Sequence, residues 1–217
     1  MVLTVPTDTS RPALVAGVEA FLAAVDGLDE PALLGASRCH GWTRLDVVVH
    51  VLGGWHELLA GLVSPVDDAP TVDAATYWTA FAAATADDDP VSEITAQRRR
   101  SSAYGRPSAA VAQLHDVGAA LLRGVASAPD GPRLWQGQVL RLGDLLATWA
   151  VEHAVHQLDL LVGRPVPAGA LALGRATVEA LVGGPVPGDD VTVLLQGAGR
   201  LPADADGPLA GRRPVLG

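Results

Sequence analysis

Residues 142–162 read LGDLLATWAVEHAVHQLDLLV, followed by Gly163 and Pro165, and the reading of this stretch decides the fold. Apolar residues recur at spacings of three and four, which predicts one long helix from Leu142 to Val162, with Gly163 at the position just past its end and Pro165 forbidding continuation. Between Trp149 and Asp159 four ionisable side chains interrupt it: Glu152, His153, His156 and Asp159. Buried in a helix packed among others, they are costly unless paired or bound to something. At about 100° per residue, Glu152 and His156 lie about 40° apart on one face, with Trp149 and Asp159 near the same line and His153 at its edge.

So apolar a helix needs partners, and the rest of the chain supplies them. Arg11 to Val25 carries Leu14, Val18, Phe21, Leu22 and Val25 at helical spacing. Thr43 and Asp46 form a capping box that opens a helix running to about Leu62, weakened in its middle by Gly53 and Gly54, a pair that marks a kink or a close backbone approach. Thr71 to Ala86 predicts a third helix around Tyr77, Trp78 and Phe81, the run from Asp87 to Pro90 a turn, Val91 to Arg100 a polar helical segment, and Pro107 to Val125 a further helix. The composition changes after Gly163, where Leu171 to Val182 predicts one short helix and Val191 to Leu195 a strand. The expected fold class is therefore all-α: a helical bundle over residues 10–163 with a short C-terminal α/β appendage over residues 164–217.

Composition narrows the function. With 217 residues, 49% hydrophobic and 18% charged, the chain can bury a core rather than remain disordered. Its net charge of -9, with no lysine, offers no basic stripe for phosphates, so nucleic acid is not an expected partner. Cys39 is the single cysteine and can form no internal disulfide, and no stretch reads as a signal peptide, which points to a cytoplasmic protein. The most apolar window, Val47 to Val63, is broken by His50, His56 and Glu57, whereas a bilayer span needs about 20 mostly apolar residues; no membrane partner is expected.

His50 sits in the apolar run Val47 to Leu52, which predicts burial. If its helix packs against that of Glu152 and His156, the three complete a His/Glu/His set projecting into the bundle, the way metal sites are built from facing helices. Two imidazoles and one carboxylate leave a coordination position open, as in catalytic zinc sites. On the residues alone two plainer readings stay open: a core histidine bonded to backbone, and an i,i+4 hydrogen-bonded pair.

Gly41-Trp42-Thr43, Asp46 and His50, followed about a hundred residues later by Glu152-x-x-x-His156-x-x-Asp159, resembles the N-terminal domain of mycothiol-dependent maleylpyruvate isomerases, members of the DinB-like superfamily of metal-binding helical bundles. The resemblance covers residues 10–163. It implies a DinB-like four-helix bundle, a divalent metal, usually zinc, on His50, Glu152 and His156, and mycothiol as a thiol cosubstrate. The implied activity is that of a transferase or isomerase in which metal-bound thiolate attacks a small electrophile. Trp149 and Asp159 are the expected cofactor-site residues, Trp149 lining the pocket and Asp159 orienting His156 or capping polar surface at the mouth. No residue stands out as the catalytic acid or base.

The tail departs from the fuller family pattern, in which a larger C-terminal domain contributes a substrate-binding arginine; this argues against maleylpyruvate itself. Arg98, Arg99 and Arg100 read as a solvated face, Cys39 as a packing residue with no cationic neighbour, and His40, His56 and His115 fall outside the pattern. A small-molecule thiol and an electrophile are the expected partners, with a homodimer plausible through the tail. Three other classes remain: a metal or small-molecule binding protein without activity, a metal-dependent hydrolase, and a metal-free helical interaction module.

Overall fold

The computed structural model describes residues 1–87, 89–212 and 214–216. In chain order the elements are α1 (Thr7–Asp26), α2 (Glu30–Leu33), α3 (Arg44–Leu62), α4 (Thr76–Ala84), α5 (Pro90–Ser102), α6 (Pro107–Ser127), β1 (Pro132–Trp135), β2 (Gln138–Arg141), α7 (Leu142–Asp159), α8 (Ala168–Val182) and α9 (Asp190–Gly197). The long helices α1, α3, α6 and α7 close a ring, each packing on two of the others. This is the four-helix bundle expected from the sequence.

The predicted capping box is present. Asp46 accepts hydrogen bonds from the Thr43 backbone N–H at 2.8 Å and hydroxyl at 2.7 Å, while Thr43 Oγ1 accepts from the Asp46 N–H at 3.2 Å. That box fixes where α3 begins and so where His50, in its second turn, comes to lie. By length and composition α3 could cross a membrane, but its apolar residues from Val47 to Leu58 are spent on the bundle core, with Trp55 fully buried against Phe21, His153 and Gly118. Nearly the whole circumference of α7 is buried, because α1, α3 and α8 surround it. Gly17 and Gly143 permit the close approaches: a Cβ would come 3.2 Å from the Cβ of His153 at the first, and would collide with the Val5 carbonyl at the second.

Several expectations need correction. Val191 to Leu195 is not a strand but lies in α9, because Asp189 caps the helix through the Thr192 N–H at 2.9 Å and Val193, Leu194 and Leu195 are buried. The regular elements of the described tail are thus both helices, with α8 packed on α7 and α1 and α9 packed on α8. The sheet lies elsewhere: β1 and β2 form a two-stranded antiparallel hairpin whose turn residues Gln136 and Gly137 have φ of 48° and 73°, the geometry of a tight hairpin turn. The third helix is shorter than the Thr71 to Ala86 reading. Thr71 bonds to Val139 of the hairpin at 2.8 Å, and Asp73 caps the turn at Ala75 and Thr76. α7 ends three residues early: Leu161 adopts φ 57° and turns the chain before Gly163 is reached. Of the Asp87 to Pro90 turn, Asp89 caps α5 through the Val91 and Ser92 N–H groups, and Asp88 lies outside the described residues.

Candidate functional site

Helical spacing on α7 and the packing of α3 beside it bring His50, Glu152 and His156 together. One donor atom from each lies within 4.8 Å of the other two. Donors sharing an ion at about 2 Å stand up to about 4 Å apart, so small side-chain movements let all three converge. The rings of His50 and His156 meet edge to face with centroids 4.8 Å apart, and Trp42 lies against His50 at 5.1 Å.

His156 is held at both nitrogens, Nε2 by Glu152 at 3.0 Å and Nδ1 by the fully buried Asp159 at 3.1 Å. Burial disfavours its charge, but hydrogen bonds to Asp159, Cys39 and Glu152 outweigh it and hold its pKa well above the ordinary imidazole value. Burial likewise opposes ionisation of Glu152 and Asp159. The bond to His156 keeps Glu152 below the usual carboxylate range, and His156 with Arg200 brings Asp159 to about 2.

His50 differs from the reading of its neighbours. The ring is exposed to a cavity rather than sealed in the core, because it points away from the Val48, Leu52 and Trp55 face of α3. It is still flanked closely by protein, and this desolvation, with His156 opposite, lowers its pKa to about 4. It is a neutral imidazole at neutral pH and makes no hydrogen bond among the described residues. A free imidazole lone pair, a carboxylate and a second imidazole oriented by a carboxylate behind it form a donor set suited to a divalent ion.

Two cavities meet at this set. The first, of about 470 Å³, is walled by Trp42, His50, Trp78, Ile94, His156 and Arg200, among others. The second, of about 350 Å³, shares Trp42, His50, Glu93 and Glu152 with it and runs past Gly53 and Gly54 to Trp135 and Trp149. Trp149 lines the second of them. Asp159 faces neither; it stands behind His156.

The sequence reading missed two residues. Arg200, beyond α9, reaches the first cavity from the tail and bonds to Asp159 at 3.3 and 3.4 Å, so an arginine from the tail does arrive at the site. Cys39 lines the same cavity. Its thiol donates to Asp159 at 3.0 Å and lies 3.5 Å from Arg200, which corrects the expectation that it has no cationic neighbour. The Arg38 N–H caps the Asp159 carbonyl at 2.9 Å and so docks the Cys39 loop on the end of α7. Separations of 120 and 41 residues from Asp159 hide both from any local pattern. Of the arginine run, Arg98 bonds outward to the Gly41 carbonyl, whereas Arg100 lines the second cavity. His153 is consumed in the core, where its Nε2 accepts the Trp55 indole N–H at 2.6 Å; its burial pushes its pKa down to about 4.

Comparison with known proteins gives the fold and the family. The crystal structure of the mycothiol-dependent maleylpyruvate isomerase is similar at 17% identity, over 95% of this chain and 94% of that one, with a TM-score of 0.63. A histidine-to-alanine mutant of that enzyme matches with the same identity and coverage at 0.61. These likenesses show a shared fold, the DinB-like helical bundle, and at that coverage most of the tail lies within the matched region. No curated protein matches. A family model described as the mycothiol maleylpyruvate isomerase N-terminal domain matches residues 14–161, more than half of the chain and including all three donors. The chain belongs to the mycothiol maleylpyruvate isomerase N-terminal domain family.

Proposed function

We propose that the protein is a mycothiol-dependent isomerase of a small anionic electrophile with a conjugated double bond, supported by a divalent metal such as zinc on His50, Glu152 and His156. The observation that carries this reading is the convergence of those three side chains where two cavities meet, with no fourth protein donor closing the set among the described residues. A bound divalent cation would lower the pKa of a coordinated thiol from about 8.5 and present it as the thiolate. The reaction class is addition of thiolate to the double bond, rotation about the resulting single bond, and elimination of the same thiolate, with no net redox change.

The chain's own residues supply position and charge. Asp159 holds Nδ1 of His156, which fixes the ring and turns Nε2 towards the centre. Arg200, anchored by Asp159 and by the Ala198 carbonyl at 3.0 Å, presents the cation that an electrophile's carboxylate needs. Trp78, Ile94 and Val155 give the first cavity apolar walls that limit water around the reacting carbons. The arginine from the tail restores maleylpyruvate, the substrate named for the solved relatives, as the first compound to test.

The test is purified protein with measured metal content, incubated with mycothiol and maleylpyruvate or related cis-enoyl acids while the double-bond absorbance is followed. Isomerisation dependent on both metal and thiol is the expected result. Saturable thiol binding without turnover would identify a binding protein, and turnover of an ester or amide panel without thiol a hydrolase; either overturns the proposal.

A further inference from the structure

We infer that the two cavities separate the two reactants: the first takes the anionic electrophile, and the second takes the hydroxyl-rich body of the thiol, with Gly53 as the residue that keeps it open. This rests on the thiol-dependent reading above and adds to it a location and a specificity determinant. The cavities share the donor residues His50 and Glu152, so a thiol whose sulfur lies at the centre can extend its remainder into one cavity while the electrophile approaches from the other.

Charge decides which goes where. Both cavities share Glu93 and Glu152; the second adds Glu57 beside Arg100, so its lining stays net acidic and suits neutral hydroxyls better than a carboxylate-bearing electrophile. To the same two glutamates the first adds Arg200 and His156 and, among the described residues, no further carboxylate. Chemistry of the walls agrees. Tyr77 and Trp135 lie tilted by 34° to one another, with centroids 4.9 Å apart, and Trp149 stands edge-on to Trp135 at 6.1 Å. Along the same rim the Tyr77 hydroxyl donates to Gln136 at 2.8 Å, and the Gln136 amide donates to Glu57 at 2.8 Å. Aromatic faces beside amide and carboxylate acceptors are the groups that hold the C–H faces and hydroxyls of sugar and cyclitol rings. The indole N–H groups of Trp135 and Trp149 are buried and without partners among the described residues, so this wall holds donors its own chain does not use. A volume of about 350 Å³ lies within the range of small-ligand sites, roughly 300–1,000 Å³.

The glycine pair gives the cavity its shape. Val49, His50, Gly53, Gly54 and Glu57 form one face of α3, and all five line the second cavity. A Cβ at Gly54 would overlap the far edge of the Trp149 ring, so that glycine lets the indole point its edge directly at the helix backbone. A Cβ at Gly53 would meet nothing within 4 Å. A longer side chain there would extend into the space that Gly53 lines.

The probe is the glucosaminyl-inositol half of mycothiol, lacking the cysteine, titrated into wild type, Gly53→Ala and Gly53→Leu with tryptophan emission as the readout, in metal-free and metal-loaded protein. Saturable binding to wild type, weakened in Gly53→Ala and weakened about tenfold or more in Gly53→Leu, supports the assignment. Gly53→Ala guards against a folding artefact, since alanine favours the helix. Equal affinities in the three proteins, or no saturable binding to wild type, overturn it. Failure of the isomerase reading is separate: it shows as wild type that does not turn over any electrophile with mycothiol, whatever the fragment does.

Discussion

Replacing His50 and His156 separately by alanine should give two different kinds of damage. Each removes one of three donors, so metal content should fall in both variants. In chelated protein they part. The His50 ring makes no hydrogen bond among the described residues and opens onto a cavity, so His50→Ala should change the stability of the metal-free fold by less than about 1 kcal/mol. His156→Ala leaves Glu152 without its 3.0 Å partner and strips from the fully buried Asp159 one of its cationic neighbours. Breaking a buried charge pair costs about 3–5 kcal/mol. Arg200 and Cys39 remain on Asp159, which places the expected loss near the lower figure, about 3 kcal/mol, or a Tm lowered by roughly 6–12 °C for a chain of this size. The assay is thermal unfolding with and without chelator, alongside metal analysis by mass spectrometry. Wild type should gain about 2.7 kcal/mol when free metal is a hundredfold above its Kd, a gain both variants lack. Full metal occupancy in either variant, or equal destabilisation of the two in chelator, would refute the reasoning.

The adjacent glycines of α3 should respond with opposite sign: Gly53→Ala stabilises by up to about 1 kcal/mol through helix propensity, while Gly54→Ala, forced against Trp149, destabilises by about 1–2 kcal/mol and shifts tryptophan emission, both read by urea denaturation. Asp144 is fully buried, with one oxygen bonded to the Val5 N–H at 2.7 Å and the other unpartnered; desolvation raises its pKa to about 6. The folded chain then binds this proton more tightly than the unfolded chain, so the contribution is greatest below pH 3.8 and is lost as pH rises through 6, by about 3 kcal/mol in all. The wild-type stability profile minus that of Asp144→Asn should fall over this window; a flat or rising difference would show that Asp144 is not desolvated. Cys39→Ala, by removing a donor to Asp159 while leaving the three metal-ligand candidates in place, should retain the metal, and loss of bound metal in that variant would place Cys39 among the ligands.

Legibility in the sequence followed the range of the interactions. The Thr43–Asp46 box and the Glu152–His156 pair are formed within three and four residues, and both could be read directly. Pairing α3 with α7 required only that two apolar helices meet, which brought His50 to His156. Local preference misled where a longer-range partner outweighed it: Val191 to Leu195 has the branched side chains of a strand, yet Asp189 caps a helix there, Leu194 packs against Gly174 of α8 and Val193 is fully buried. The hairpin escaped because its strands are four residues each and its turn is a single Gln-Gly step. Arg200 and Cys39 reach the site only through tertiary docking. The exposure of His50 depends on which surface α5 leaves uncovered, which no periodicity records.

The bond between Arg200 and Asp159 joins two parts of the chain with different burdens. The three candidate metal ligands sit on the bundle helices, within the stretch that the family model matches, whereas the guanidinium beside them arrives from outside it. A scaffold divided in this way can acquire new clientele by rewriting some fifty residues of its tail, leaving the chemistry at its centre untouched.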